Sequence, residues 1–451
     1  MDDRSYKASN YNVFGRVGEK WILANTFTSA ITTLNDEGKA AAQYLLDNPA
    51  EIVRYKDHEL GRLLIENRYV IEEDFSELEF LKETHFIAKE GTDSLGLAIT
   101  TTMQCNLRCG YCYEYDRLGP NHLSEKLEAS VLALLERELP KKKLLHVVWW
   151  GGEPLLRPQT IERLSLRMIE ACKKHNVRYL ASITTNGALL SESNAKMLQK
   201  FFVKRVQITL DGNRESHDQR RVTVKGKGSF SNIIENLRAN ARYFENIILR
   251  INVNNRNCDT AFDLFSELEE VKGNIFLAPR PANDPHATTR PDWLMTLAEF
   301  VDFEDKFNRA SFEKGFRIVV GYSDAGLTYC NAYQSKNSFS IDPYGGVHIC
   351  PIFTGDKENR FGELDQDGVI AVAPSLANKE SQLTTTEYPF SDPGCVKCPA
   401  LPVCMGGCVL YEGGDRPGMG DLRCIAKHNI AEKMYLTRSW DFTTKKAEQI
   451  S

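Results

Sequence analysis

Twelve cysteines lie in this 451-residue chain, and ten of them fall into two groups. Cys105, Cys109 and Cys112 form a C-x3-C-x2-C run directly after an apolar stretch. Thiolates at this spacing on one loop can ligate three irons of a [4Fe–4S] cube, leaving the fourth iron open to a small molecule. Zinc is the competing reading, but it usually takes four protein ligands from paired Cys or His spacings. No fourth ligand is obvious nearby, and His122 stands ten residues further on. The second group is Cys330, Cys350, Cys395, Cys398, Cys404, Cys408 and Cys424, the last five within thirty residues. That density is too low for a disulfide scaffold in a chain this long, and clustered cysteines in a reducing compartment point to metal. The two remaining cysteines read as structural: Cys172 on the apolar face of a helix, Cys258 at the start of another.

The elements that must position these residues are legible from periodicity. Between about residues 94 and 315, the runs LGLAITTT, LLHVVWW, YLASITT, VKRVQITL, IILRINV and NIFLAP read as buried strands. Amphipathic helices separate them. One carries Leu123, Leu127, Val131, Leu134 and Leu135 at helical spacing, the next Ile161, Leu164, Met168 and Cys172. Such alternation predicts a parallel α/β sheet or partial (β/α)6 barrel, with its site at the C-terminal strand ends. CNLRCGYC, GGEP, TNGALL and LDGNRESHD fall at the ends of the first four strands.

Residues 1 to about 92 read as a separate α+β unit of winged-helix flavour. YNVFGRVG, EKWILANT and AITTLN are expected strands; DEGKAAAQYLLDNP, HELGRLLIENRYVI and FSELEFLKETHF are expected helices. Small units of this kind often dock peptides; the plainer alternative is an extension that only packs on the next domain. Residues 316–451 show weak periodicity until IAKHNIAEKMYL, so metal crosslinks are expected to supply what packing does not. The expected domains are thus 1–92, 93–315 and 316–451.

The net charge is -5, which argues against a broad nucleic-acid-binding face. No apolar run approaches the ~20 residues of a membrane span, and the polar start MDDRSYKASN offers no signal-peptide core. A cytoplasmic protein is expected.

Several of these segments together carry a resemblance. Cys105, Cys109, Tyr111 and Cys112 form C-x3-C-x-aromatic-C, which resembles the signature of the radical S-adenosylmethionine (radical SAM) enzymes. Gly151-Gly152-Glu153-Pro154, Thr185-Asn186-Gly187, Thr209-Leu210-Asp211-Gly212 and His217-Asp218 with Arg221 and Gly226-Lys227-Gly228-Ser229 follow in that family's order. The resemblance implies that Gly151, Gly152 and Glu153 hold the amino group of S-adenosylmethionine. It places Thr209 and Arg221 near the methionine moiety, with Arg220 as an alternative carboxylate partner, and Asn186 and Tyr111 near the cofactor. The C-terminal cysteines resemble the SPASM extension of radical SAM enzymes that modify peptides. By that likeness Cys395, Cys398, Cys404 and Cys424 hold a distal [4Fe–4S] cluster. Cys330, Cys350 and Cys408 hold a proximal one, with Asp324 or water filling its fourth position or leaving it open.

The implied function is maturation of a ribosomally made peptide. Three [4Fe–4S] clusters and S-adenosylmethionine serve it, with an electron donor such as flavodoxin or ferredoxin. The product is a thioether or another crosslink, and the N-terminal unit grips a leader peptide. Two alternatives stand beside it. One is an anaerobic sulfatase maturase, whose relatives usually begin near the first cluster motif and carry an acidic residue where Pro351 follows Cys350 here. The other is a zinc-stapled peptide-binding protein. The sequence names no catalytic base.

Overall fold

The computed structural model describes residues 5–91, 93–283, 291–319, 337–372, 388–407, 424 and 427–437. Cys330, Cys408 and Asp324 lie outside the described residues.

The N-terminal unit opens with β1 (Tyr6–Ala8), β2 (Asn12–Val17), β3 (Lys20–Asn25) and β4 (Ala30–Leu34). Strands β2, β3 and β4 form an antiparallel meander. Helices α1 (Asp36–Asp47), α2 (Ile52–Tyr55) and α3 (Glu59–Glu66) follow, then β5 (Val70–Glu72) and α4 (Glu77–Glu90). The expected helix HELGRLLIENRYVI is therefore cut short. Asn67 caps α3, Arg68 takes a left-handed φ of 58°, and β-branched Val70 and Ile71 pair with β1. Strand β1 itself left no alternating pattern, because it is only 3 residues long.

The main sheet takes all six expected parallel strands. They are β6 (Ser94–Thr100), β8 (Leu144–Trp150), β9 (Arg178–Thr184), β10 (Val203–Thr209), β12 (Asn246–Val253) and β13 (Ile275–Pro281). Between them come the short β7 (Leu107–Cys109) and β11 (Arg221–Thr223), and helices α5 (Glu125–Glu138), α6 (Pro158–Lys174), α7 (Glu192–Lys200), α8 (Arg214–Arg220), α9 (Phe230–Asn240) and α10 (Leu264–Leu268). After α11 (Leu297–Glu313), β14 (Arg317–Ile318) extends the sheet beyond β13. At the opposite edge β15 (Ser338–Ile341) pairs parallel with β6, and β16 (Gly346–His348), β17 (Gly362–Leu364) and β18 (Ile370–Val372) continue antiparallel. Among the described residues the sheet stays open and no barrel closes.

Parity along the strands explains the layering. Leu97 and Ile99, Val147 and Trp149, Val206 and Ile208, and Leu249 and Ile251 face the helices and are buried. The alternate positions, including Trp150, Arg250 and Asn252, face the other side. Each buried Leu or Ile contributes about 1.5–3 kcal/mol by leaving water. Side-chain caps fix the helix starts: Ser124 accepts from Leu127 N at 3.2 Å, and Thr296 with Glu299 makes a capping box.

The N-terminal unit is packed onto the C-terminal cysteine segment. Ile22 and Ala24 of β3 share a core with Ala400, Val403, Ile430 and Met434, and Cys398 and Cys404 lie against it. Tyr11, Phe27 and Leu81 meet Leu401 and Met405 in a second cluster, with Cys395 alongside. Residues 430–437 are helical, and Lys433 makes a buried ion pair with Glu304 of α11 at 2.5 Å. No helix among the described residues is long and apolar enough to cross a membrane.

Candidate active site

The loop after β6 runs beneath the start of the Gly151–Pro154 segment. Gly152 N donates to Thr102 O at 3.1 Å and Glu153 N to Gln104 O at 2.8 Å. Gly151 has φ +137°, and a Cβ on Gly152 would stand 2.4 Å from Gln104 O. Only glycine permits this approach. The Glu153 carboxylate is fully buried and accepts from Leu155 N at 3.0 Å, Thr185 Oγ1 at 2.7 Å and Asn186 N at 2.8 Å. It thus ties the end of β8 to the end of β9. Asn186 in turn donates to Asn106 Oδ1 at 2.8 Å and reaches Cys105 Sγ at 3.9 Å.

Cys109 ends β7, and Arg221 begins β11 directly opposite it. Cys112 N closes a turn onto Cys109 O at 3.1 Å. The three thiols feel one another. Burial pushes the Cys105 thiol up to about 12, and Glu153, Cys109 and Cys112 add to the rise. Cys112 is likewise pushed up to about 12, by burial first and then by Glu114 and Cys109. Such thiols are held protonated until a cation offsets their charge.

Arg221 supplies one cation. Burial opposes its charge, but Cys109, Tyr111 and Asp211 outweigh burial and hold it charged. Its Nη1 donates to Tyr111 OH at 2.7 Å. The Tyr111 hydroxyl donates to Asp211 and accepts from Asn252 Nδ2 at 3.2 Å. The HD…GKGS segment is the clamp that sets Arg221. Asp218 Oδ1 accepts from Ser229 N at 2.8 Å and Phe230 N at 2.9 Å, and Ser229 Oγ donates to Arg221 O at 2.7 Å. His217 is fully buried beside Ser229 Oγ at 3.0 Å, and burial with Arg221 nearby pushes it down to about 3, so it stays neutral. Thr209 ends β10 in register with Arg250 of β12.

Two residues here were missed from sequence. Glu114 is 3% exposed, receives Trp150 Nε1 at 3.2 Å, and is pushed up to about 7 by burial. Arg117 donates to Tyr113 O at 2.6 Å, Ile352 O at 3.1 Å and Thr354 O at 2.8 Å, so it fastens the turn after Cys350 to the first cysteine loop. Their only sequence signal was nearness to Cys112. Cys350 lies close enough to Cys112 that both act on the Tyr113 phenol. Four further cysteines lie together elsewhere: Cys404 is pushed up to about 12, by burial and then by Cys398, Cys395 and Cys424. Cys172 is buried in the main core, and Cys258 packs against it.

Among the described residues no three His, Cys, Asp or Glu side chains converge on a single ion. A cube spreads its thiolates over separate irons, whereas a zinc ion draws all its ligands to one point. Mutually coupled thiols on one loop, with an arginine opposite, fit the former donor set.

A parallel sheet with such a loop at its C-terminal mouth defines an enzyme that works from the strand ends. Residues 99–262 match the Radical SAM superfamily model, so this segment is a radical SAM domain. Proteins of that superfamily bind a [4Fe–4S] cluster and S-adenosylmethionine. The chain is 26% identical over 366 residues to the cysteine-type anaerobic sulfatase-maturating enzyme of Clostridium novyi (strain NT), covering 74% of this chain and 95% of that one. It is 23% identical over 449 residues to the radical SAM cyclopropyl synthase TigE of Paramaledivibacter caminithermalis, covering 91% and 83%. The structure of native anSMEcpe with bound AdoMet and Cp18Cys peptide superposes with a TM-score of 0.57 at 20% identity, over 79% of this chain and 99% of that one. That likeness shows the fold.

Proposed function

We propose that this enzyme matures a ribosomally synthesised peptide by installing a thioether or related crosslink. The carrying observation is the convergence of Cys105, Cys109 and Cys112 with Arg221 at the sheet mouth, with Cys350 brought up to the same loop. In this reading Cys105, Cys109 and Cys112 hold the cluster at the radical site. Cys395, Cys398, Cys404 and Cys424 hold a distal auxiliary cluster, and Cys330, Cys350 and Cys408 a proximal one. When bound, the first cluster and S-adenosylmethionine supply a 5′-deoxyadenosyl radical able to take hydrogen from an unactivated carbon.

The chain's own residues supply binding, orientation and exclusion of water. Gly151 and Gly152 bring main chain against the cofactor's amino group, and Glu153 keeps that segment rigid through its three hydrogen bonds. Arg221 pairs the cofactor carboxylate while also offsetting thiolate charge at Cys109. Thr209, Asn186 and Tyr111 line the same mouth. A carbon–sulfur bond would then replace one C–H and one S–H bond: the carbon's hydrogen atom would pass to the 5′-deoxyadenosyl radical, the thiol proton to solvent, and the remaining electron to the auxiliary cluster that Cys330, Cys350 and Cys408 would hold.

The extended match to the cyclopropyl synthase supports a maturase with the N-terminal unit, since 91% coverage leaves too few residues to omit that unit. Leader binding by that unit and reduction by a flavodoxin or ferredoxin complete the reading. Maturation of a sulfatase is the second reading, favoured by the near-complete coverage of the Clostridium novyi enzyme. Pro351, where an acidic residue is expected in that group, weighs against it.

The test is anaerobic co-expression with the small peptides encoded beside this gene, followed by mass spectrometry. Loss of a hydrogen pair from a Cys-containing peptide is expected. Formylglycine on a sulfatase peptide, with no change in the neighbouring peptides, would overturn the reading.

A further inference from the structure

Two more arginines stand at the sheet mouth, Arg280 on β13 and Arg220 at the end of α8. Asn252 and Arg280 are direct register partners on the parallel strands β12 and β13. Paired residues on neighbouring strands project to the same face. Asn252 uses that face to reach Tyr111 OH at 3.2 Å, and it accepts from Arg250 Nε at 2.8 Å. Arg280 therefore stands on the cofactor side, one strand beyond Asn252. Its hydrogen bond is to the carbonyl of Pro279, the residue before it, at 2.8 Å. No carboxylate among the described residues pairs with it.

Arg220 approaches Asn252 from the other side. Its Nη1 donates to Asn252 O at 3.3 Å, and its guanidinium lies 5.1 Å from the Tyr111 ring centroid. Its Nη2 is buried without a hydrogen-bond partner among the described residues. Leaving a buried donor unmade is costly, so it awaits an acceptor. The carboxylate of Asp211 does not serve, because it takes the Tyr111 hydroxyl and the Asn252 amide, the latter at 3.1 Å. Arg221 is engaged with Tyr111. The cationic excess is local, since the chain as a whole carries a net charge of -5.

We propose that Arg280 and Arg220, flanking Asn252, form a binding site for a carboxylate of the substrate. The inference rests on the peptide-modifying reading and deepens it: the modified residue lies near an acidic side chain or near the peptide's C-terminal carboxylate. Guanidinium forks match a carboxylate in shape and charge, and two of them fix its orientation beside the radical site.

The test uses the iron-loaded enzyme saturated with S-adenosylmethionine, so that Arg221 is occupied. Three probes are compared by saturation-transfer NMR: N-acetylglutamate methylamide, N-acetylglycine and the neutral N-acetylglutamine methylamide. The two carboxylates should bind and the neutral amide should not, and the tighter carboxylate assigns the source. Arg280→Gln and Arg220→Gln should each weaken carboxylate binding about fivefold or more, and Arg280→Lys should retain most of it. Equal binding of the neutral probe to the parent enzyme, or parent-like binding by both Gln variants, overturns the site. Should the Gln variants fail to fold, the neutral probe against the parent still decides. Reductive cleavage of S-adenosylmethionine is measured in the same preparation. Its absence counts against the proposed function, whereas cleavage with no preference for carboxylates counts against the arginine site alone.

Discussion

Arg221 stands directly opposite Cys109 in the short antiparallel pair of β7 and β11, at 6% exposure. The pairing places a fixed cation beside a thiol that, in the proposed function, ionises to hold iron. Arg221→Ala should weaken S-adenosylmethionine binding by about 1.5–3 kcal/mol, or roughly 10- to 150-fold, as loss of a charge-assisted bond does. It should also lower Tm, because Asp211 and Tyr111 lose their cation. Isothermal titration and thermal melts check both, and parent-like binding by Arg221→Ala would remove its assigned role.

Cys105, Cys109 and Cys112 changed together to Ala should remove about four irons per chain and all cleavage of S-adenosylmethionine. The fold should persist, because the loop is also held by main-chain bonds such as Glu153 N to Gln104 O. Iron analysis and circular dichroism separate the two effects. Normal cleavage by the triple variant would sink the assignment.

Gly152→Ala puts a Cβ 2.4 Å from Gln104 O. The backbone must separate there, at the expense of the bonds to Thr102 O and Gln104 O, each worth about 1 kcal/mol. Cofactor affinity should fall at least about tenfold, and a variant that binds as the parent would show that the close approach is dispensable.

Cys395, Cys398 and Cys404 support the surface on which β3 and Tyr11 pack, and Cys424 acts on Cys404. Their joint replacement should lower Tm and raise amide exchange in β3 as well as in residues 430–437. Deleting residues 1–90 should expose Val403, Ile430 and Met434 and lower solubility. Unchanged exchange in β3 would separate the N-terminal unit from the cysteine segment.

His85 is 3% exposed, and neither ring nitrogen has a hydrogen-bond partner among the described residues. Burial, with Lys89 adding, pushes its pKa down from 6.5 to about 4. The unfolded chain therefore takes a proton that the folded protein refuses. This contribution to stability is intact above about pH 6.5 and is lost as pH falls toward 4. His85→Leu should flatten the fall of Tm between those values, and an unchanged pH profile would count against it.

The three-cysteine loop, the glycines beside it and the six strands were legible in the sequence because each is a local pattern. A strand announces itself through alternation, and a loop ligand set through spacing. Leu97, Val147 and Ile208 reported that a face was buried, but not what buried it. Tertiary structure alone decided the pairings across long stretches of chain. Arg221 meets Cys109, Arg117 fastens the Cys350 turn, Arg280 shares a face with Asn252, and β3 lies on the Cys398–Cys404 segment. The helix expected over residues 58–71 ended early for the same reason, since pairing with β1 outweighed local propensity at Val70. Periodicity records the environment of a residue, whereas register between distant strands is set by the sum of all the packing around them.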